Sequence, residues 1–66
     1  MKNNLAERRA DRGWTQAELA AKLGVSRQTV ISIERGRFDP SLPLAFVIAH
    51  AFDCAIEDMF LPERGE

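Results

Sequence analysis

Hydrophobic positions in this chain never alternate with polar ones over a sustained run, so half-buried strands are not expected. They gather instead into five short segments separated by glycines, prolines and capping residues, and each segment reads as a helix. The first spans about Asn4 to Arg12 and stops at Gly13, with Asn4 and Glu7 spaced as an N-cap and its reciprocal partner. The second opens on a capping box, Thr15 with Glu18, in which each side chain satisfies the other residue's backbone N–H. Trp14 and Leu19 flank that box at the spacing of a hydrophobic staple. The helix ends at Leu23, with Gly24 placed for a left-handed C′ residue.

Ser26 caps a third helix, Val25 and Val30 repeat the staple spacing, and Glu34-Arg35-Gly36 closes it. So short a glycine-containing turn between the second and third helices makes them cross steeply, which predicts a helix-turn-helix over about residues 15–35. After the loop Arg37-Phe38-Asp39-Pro40, Ser41 caps a fourth helix of about Leu42 to Phe52, with Pro43 in its first turn, where a missing N–H does little harm. A short fifth helix, about Ile56 to Phe60, ends before Pro62. The expected fold is all-α: one compact five-helix domain over residues 1–66. Phe46, Ile48, Phe52, Ile56, Met59 and Phe60 read as core rather than as a ligand pocket. The alternative for part of this group is a surface for a second copy, Met59-Phe60-Leu61 within a C-terminal helix and tail at about 56–66.

Composition narrows the function. A chain of 66 residues is near the lower limit for unaided folding, hiding only about 60% of its unfolded surface. The lone Cys54 can make no internal disulfide, and without a CxxC pair or Cys/His cluster neither a metal nor a cofactor is expected. Cys54 reads as packing filler and suits a reducing, cytoplasmic setting; His50 has no companion at metal-ligand spacing. The longest apolar stretch, Leu42 to Phe52, is 11 residues, against about 20 for a membrane span. Nor does the N-terminus hold the apolar core of a signal peptide. One histidine and no Gly-rich phosphate loop, HExxH or GxSxG motif make an enzyme unexpected.

The formal net charge of −1 conceals a division. Residues 1–37 hold eight bases and four acids, whereas residues 38–66 hold one base and six acids. A basic half of this kind can meet a polyanion while the acidic half faces elsewhere. On a helical wheel at about 100° per residue, Val30 and Ile33 define the inward side of the third helix. Gln28, Ser32 and Arg35 fall opposite, with Ile31 and Arg27 to one side and Thr29 on the other shoulder. These side chains have the chemistry for reading base edges: Arg for guanine, Gln for adenine, and an apolar group for a thymine methyl. Thr29 stands where a full capping box would put an acid, so the first turn, with Arg27 and the hydroxyls, suits an anion. Gln16 is an uncharged donor at the corresponding place on the second helix.

The run from Trp14-Thr15-Gln16-Ala17-Glu18-Leu19-Ala20 through Leu23-Gly24-Val25-Ser26-Arg27-Gln28-Thr29-Val30, then Ile33-Glu34-Arg35-Gly36 and Asp39-Pro40-Ser41-Leu42, resembles the lambda-repressor-like regulators. These are the Cro/C1-type, xenobiotic-response-element class of helix-turn-helix proteins, and the likeness covers roughly residues 4–60. The resemblance implies a sequence-specific regulator, a repressor that binds double-stranded DNA operators as a two-fold dimer. The third helix would be the recognition helix, with Arg27, Gln28 and Ser32 as base readers. Gln16, Thr29 and Arg37 would hold phosphates, and Arg35 either phosphate or base. Arg9 and Glu34 match a structural ion pair of the family, and each borders a core stripe, four residues from Leu5 and Val30 respectively.

Three positions depart from the family pattern: Arg8 for a core Leu, Asp53 for a helix-ending Gly, and Ala55 for a Ser or Thr cap. They bear on the C-terminal region and on assembly, not on the reading helix. A competing reading is a protein-interaction module, antitoxin-like, whose acidic half engages another protein. RNA binding is disfavoured because no aromatic platform for unstacked bases is visible. No small-molecule effector is evident.

Overall fold

Each helix start leaves N–H groups without intrahelical partners, and this sequence supplies a side-chain acceptor at four of the five starts. In the computed structural model, which describes residues 1–61, the elements are β1 (Lys2–Asn3), α1 (Leu5–Asp11), α2 (Gln16–Leu23), α3 (Arg27–Glu34), α4 (Leu42–Ala51), α5 (Ile56–Met59) and β2 (Phe60–Leu61). The capping box of α2 is complete: Thr15 Oγ1 accepts from the Glu18 N–H at 3.0 Å and Glu18 Oε1 from the Thr15 N–H at 2.7 Å. Ser26 Oγ accepts from the Thr29 N–H at 3.1 Å and Ser41 Oγ from the Leu44 N–H at 3.3 Å.

Four helices end in one way, with an N–H reaching back five residues around a single left-handed residue. The bonds are Trp14 N–H to Arg9 O, Val25 N–H to Ala20 O, Arg37 N–H to Ser32 O and Cys54 N–H to Ala49 O, at 3.2, 3.0, 2.9 and 3.0 Å. Gly24, at φ 74°, makes the tight turn between α2 and α3. At the end of α4 the same role falls to Asp53, at φ 57°, the only non-glycine residue with positive φ among those described. Aspartate enters this region more readily than most residues but still with strain.

The core follows the three- and four-residue spacing of the helices. Leu5 from α1, Leu19 from α2, Val30 and Ile33 from α3, Ile48 from α4 and Met59 from α5 are all fully buried. Ala20 is small where α2 meets α3, and Trp14 and Val25 pack against the cluster from the two staple positions. Each large side chain buried in this way contributes roughly 1.5–3 kcal/mol, so the packing of α1 and α2 against α3 fixes where α3 stands.

The structure departs from expectation in several places. Asn4 does not cap α1. Its side chain instead donates to Asp58 O at 3.0 Å and accepts from Arg8 Nε at 2.9 Å, while Asn3 Oδ1 takes the Leu5 N–H at 3.1 Å. Arg8, in a position of core type, thereby becomes half of a tie between α1 and α5, its Nη2 also donating to Asp58 O at 3.3 Å. The final helix stops at Met59, and Phe60 and Leu61 pair antiparallel with Asn3 and Lys2. A two-residue strand is too short to leave any alternation in the sequence. Phe46 is not core but 59% exposed, and Ile56 is only partly buried. Because α4 is apolar nearly all round, its pattern does not reveal which face turns inward. Ala55, lacking a hydroxyl, leaves α5 with half a box: only its own N–H is satisfied, by Asp58 Oδ2 at 3.2 Å.

Two substitutions are therefore expected to stabilise the fold. Asp53→Gly relieves the left-handed strain and Ala55→Ser restores a cap, each worth about 0.5–1 kcal/mol. For a domain of this size that is a rise in Tm of roughly 2–8 °C by thermal denaturation.

Candidate nucleic-acid interface

The two faces of α3 are sharply divided. Val30 and Ile33 are both at 0% exposure in the core. Arg27, Gln28 and Arg35 are exposed, and Thr29, Ile31 and Ser32 are half-buried beside them. The first turn of α3 carries no acid, so the positive end of the helix dipole and Arg27 act in the same sense. Arg37, just beyond the helix, is exposed as well. Thr29 is less free than its sequence position suggests: its Oγ1 lies 2.9 Å from Ser26 Oγ. Ile31 is not fully exposed, and part of its side chain is already covered by the chain itself.

Helix α2 brings its start alongside. Thr15, Gln16 and Ala17 line an open groove of about 670 Å³ together with Arg9 and Arg27. The sequence signals Gln16 as a donor but not that its Nε2 is committed to Glu34 Oε1, at 3.1 Å. An amide has two N–H groups, so one remains for a phosphate oxygen.

That bond belongs to a clamp. Arg9 Nε meets Glu34 Oε2 at 2.6 Å and Arg9 Nη2 meets Oε1 at 3.4 Å. Arg9 Nη1 also donates to Trp14 O at 2.8 Å. The two side chains are only 19% and 6% exposed. One bidentate pair therefore joins α1, the entry to α2 and the last turn of α3.

Other features leave little trace in the sequence. Phe38, 46% exposed in the loop after α3, borders a hollow of about 200 Å³ with Ser26, Gln28, Thr29 and Ser32. Its only signal there is an aromatic residue next to Arg37. Two cations of the basic half are held on rings rather than presented to a polyanion. The Arg12 guanidinium lies 5.4 Å from the Trp14 ring and 5.5 Å from the Phe52 ring, and Lys22 Nζ lies 4.7 Å from Trp14. The expected surface at Met59-Phe60-Leu61 does not form, because Met59 and Phe60 are 0% and 5% exposed within the core and only Leu61, at 43%, is accessible. The tail at 62–66 lies outside the described residues. The three most exposed large apolar side chains among the described residues lie instead on α4: Leu42 at 63%, Phe46 at 59% and Val47 at 47%.

Comparison with known proteins agrees with this geometry. The helix-turn-helix family model matches residues 5–59. The chain belongs to the helix-turn-helix family, of Cro/C1 type. An HTH-type transcriptional regulator of Methanocaldococcus jannaschii is 58% identical over 66 residues, spanning 100% of both chains. One from Archaeoglobus fulgidus is 48% identical, over 100% of this chain and 94% of its own. Among solved structures, the restriction-modification controller protein C.AhdI of Aeromonas hydrophila superposes with a TM-score of 0.78 at 33% identity, over 86% of each chain. This helix-turn-helix protein is thus a non-enzymatic, double-stranded-DNA-binding transcriptional regulator. Among the described residues, no helix of the regulator is long and apolar enough to cross a membrane.

Cutting the clamp leaves a nearly buried carboxylate without its partner. Arg9→Ala is expected to cost about 3 kcal/mol, lowering the Tm by roughly 10 °C or more. The base preference of the DNA still bound should not change. An unaltered Tm with a changed preference would instead make Arg9 a DNA contact.

Proposed function

We propose that this protein is a sequence-specific repressor that binds a palindromic operator as a homodimer, α3 of each copy entering the major groove of one half-site. The observation that supports it most is the division of α3, with Val30 and Ile33 fully buried beneath an exposed Arg27, Gln28 and Arg35 and no first-turn acid. In this reading Arg27, Gln28 and Ser32 read bases and Ile31 meets an apolar base edge. Gln16, Thr29 and Arg37 hold phosphates, and Arg35 serves either part. The two half-sites lie about 34 Å apart, one turn of duplex. Repression follows from occupancy: a dimer lying across a promoter in the cytoplasm keeps polymerase off it.

The surface for the second copy is the outer side of α4. This helix has no Lys, Arg, Asp or Glu, and it exposes Leu42, Phe46 and Val47. Phe46 borders a hollow of about 440 Å³ lined also by Ala49, Cys54 and Ile56, with His50 and Glu57 at its polar side. An isologous contact uses the same patch twice, and an exposed ring beside a largely apolar hollow suits that geometry.

Three measurements check the reading. Affinity for a selected operator should fall with salt at a slope near −0.9 per phosphate contacted. Gln28→Ala should lose about 1–3 kcal/mol of discrimination at one base pair. Uniform weakening on all sequences would mark Gln28 as a backbone contact. Phe46→Glu, by placing a charge in the apolar contact, should yield monomers in sedimentation equilibrium at concentrations where the unaltered protein is dimeric. A dimer that survives this change lies elsewhere.

A further inference from the structure

The loop that follows α3 carries an apolar side chain that its own fold does not use. Phe38 is 46% exposed, between the exposed Arg37 and Asp39, and its ring is one wall of the hollow of about 200 Å³ completed by Ser26, Gln28, Thr29 and Ser32. The Ser26 and Thr29 hydroxyls are engaged with each other at 2.9 Å. The side chains of Gln28 and Ser32 have no hydrogen-bond partner among the described residues. The hollow thus combines a free amide, a free hydroxyl and an aromatic wall on the side of α3 that carries the base readers.

We propose that Phe38 is a specificity-determining residue, and that this hollow takes the C5-methyl group of a pyrimidine in the major groove. The inference rests on the reading of α3 as the recognition helix. Its chemistry is self-consistent: a Gln amide matches the adenine edge, the thymine paired with that adenine carries a methyl in the same groove, and an aromatic ring is a suitable apolar contact for it. Placing the methyl there removes part of the Phe38 ring from water as well. Thymine and 5-methylcytosine present the same C5-methyl group, so the hollow distinguishes a methylated from an unmethylated pyrimidine before it distinguishes one pyrimidine from the other.

The test uses the full chain and an operator selected from random duplex DNA. Each thymine is replaced singly by deoxyuridine, which removes only the methyl, and each cytosine singly by 5-methylcytosine, which adds one. At one position in each half-site, the duplex lacking the methyl should bind the unaltered protein about three- to tenfold more weakly than its methylated counterpart. Phe38→Ala should bind the two within about twofold while keeping its sensitivity to salt. Where the alanine variant does not fold, Phe38→Gln retains the reach of the side chain without the apolar wall. A thymine position as the sensitive one identifies thymine as the source, and a cytosine position identifies 5-methylcytosine. A methyl scan flat at every position, or a methyl effect undiminished in the Phe38 variants, overturns the proposal and leaves the recognition-helix reading intact. A selection that recovers no common sequence overturns both.

Discussion

The geometry of this domain depends on one nearly buried ion pair. The Arg9 guanidinium spans Glu34 and the carbonyl of Trp14, and Gln16 completes the set on the same carboxylate. Three elements that share no long run of sequence are held by these bonds. Hydrophobic contact alone orients helices loosely, because it is non-directional, whereas a bidentate Arg–carboxylate pair fixes both distance and angle. The pair stands at the last turn of α3, so it constrains the helix at the end opposite Arg27 and Gln28, the proposed readers. A helix anchored by Val30 and Ile33 on its inner face and by Glu34 at its close has little freedom to roll. The base reading proposed for α3 requires this, since a small rotation would carry Gln28 and Ser32 away from a base edge.

Charge is distributed consistently with the same design. The net charge of −1 would disfavour a polyanion if it were spread evenly. The bases are concentrated in the first 37 residues, and the one acid within α3, Glu34, is paired with Arg9. Not every base is available, however. Arg12 and Lys22 are drawn over Trp14, and Arg8 ties α1 to α5. This leaves Arg27, Arg35 and Arg37, on α3 and its exit, as the exposed cations closest to the proposed reading face.

Features set by local chemistry are legible in the amino-acid sequence. The capping box of Thr15 and Glu18, the left-handed Gly24, the caps at Ser26 and Ser41 and the inward pair Val30 and Ile33 each follow from a few neighbouring residues. The ion pair is legible too, because a charged residue bordering a core stripe needs a partner. What escapes depends on contacts distant in sequence. Asn4 has the right identity and spacing for a cap but finds better partners in Asp58 and Arg8, 54 and 4 residues away. The pairing of Asn3 with Phe60 itself, two residues to a strand, leaves no alternation to find. On α4, whose apolar side chains surround the axis, pattern alone does not separate Phe46 from Ile48. Gln16 and Phe38 are obscured for a related reason, since the first is taken by Glu34 and the second acquires its setting only when the loop folds beside α3.

The most direct test is to follow backbone and side-chain amide resonances as the selected operator is added to the isotopically labelled protein. The largest changes are expected at residues 26–29, 32, 35 and 37 and at the Gln28 side-chain amide, with the α1 core signals nearly still. Changes confined to α4 and α5, with the α3 signals unmoved at saturation, would contradict the account.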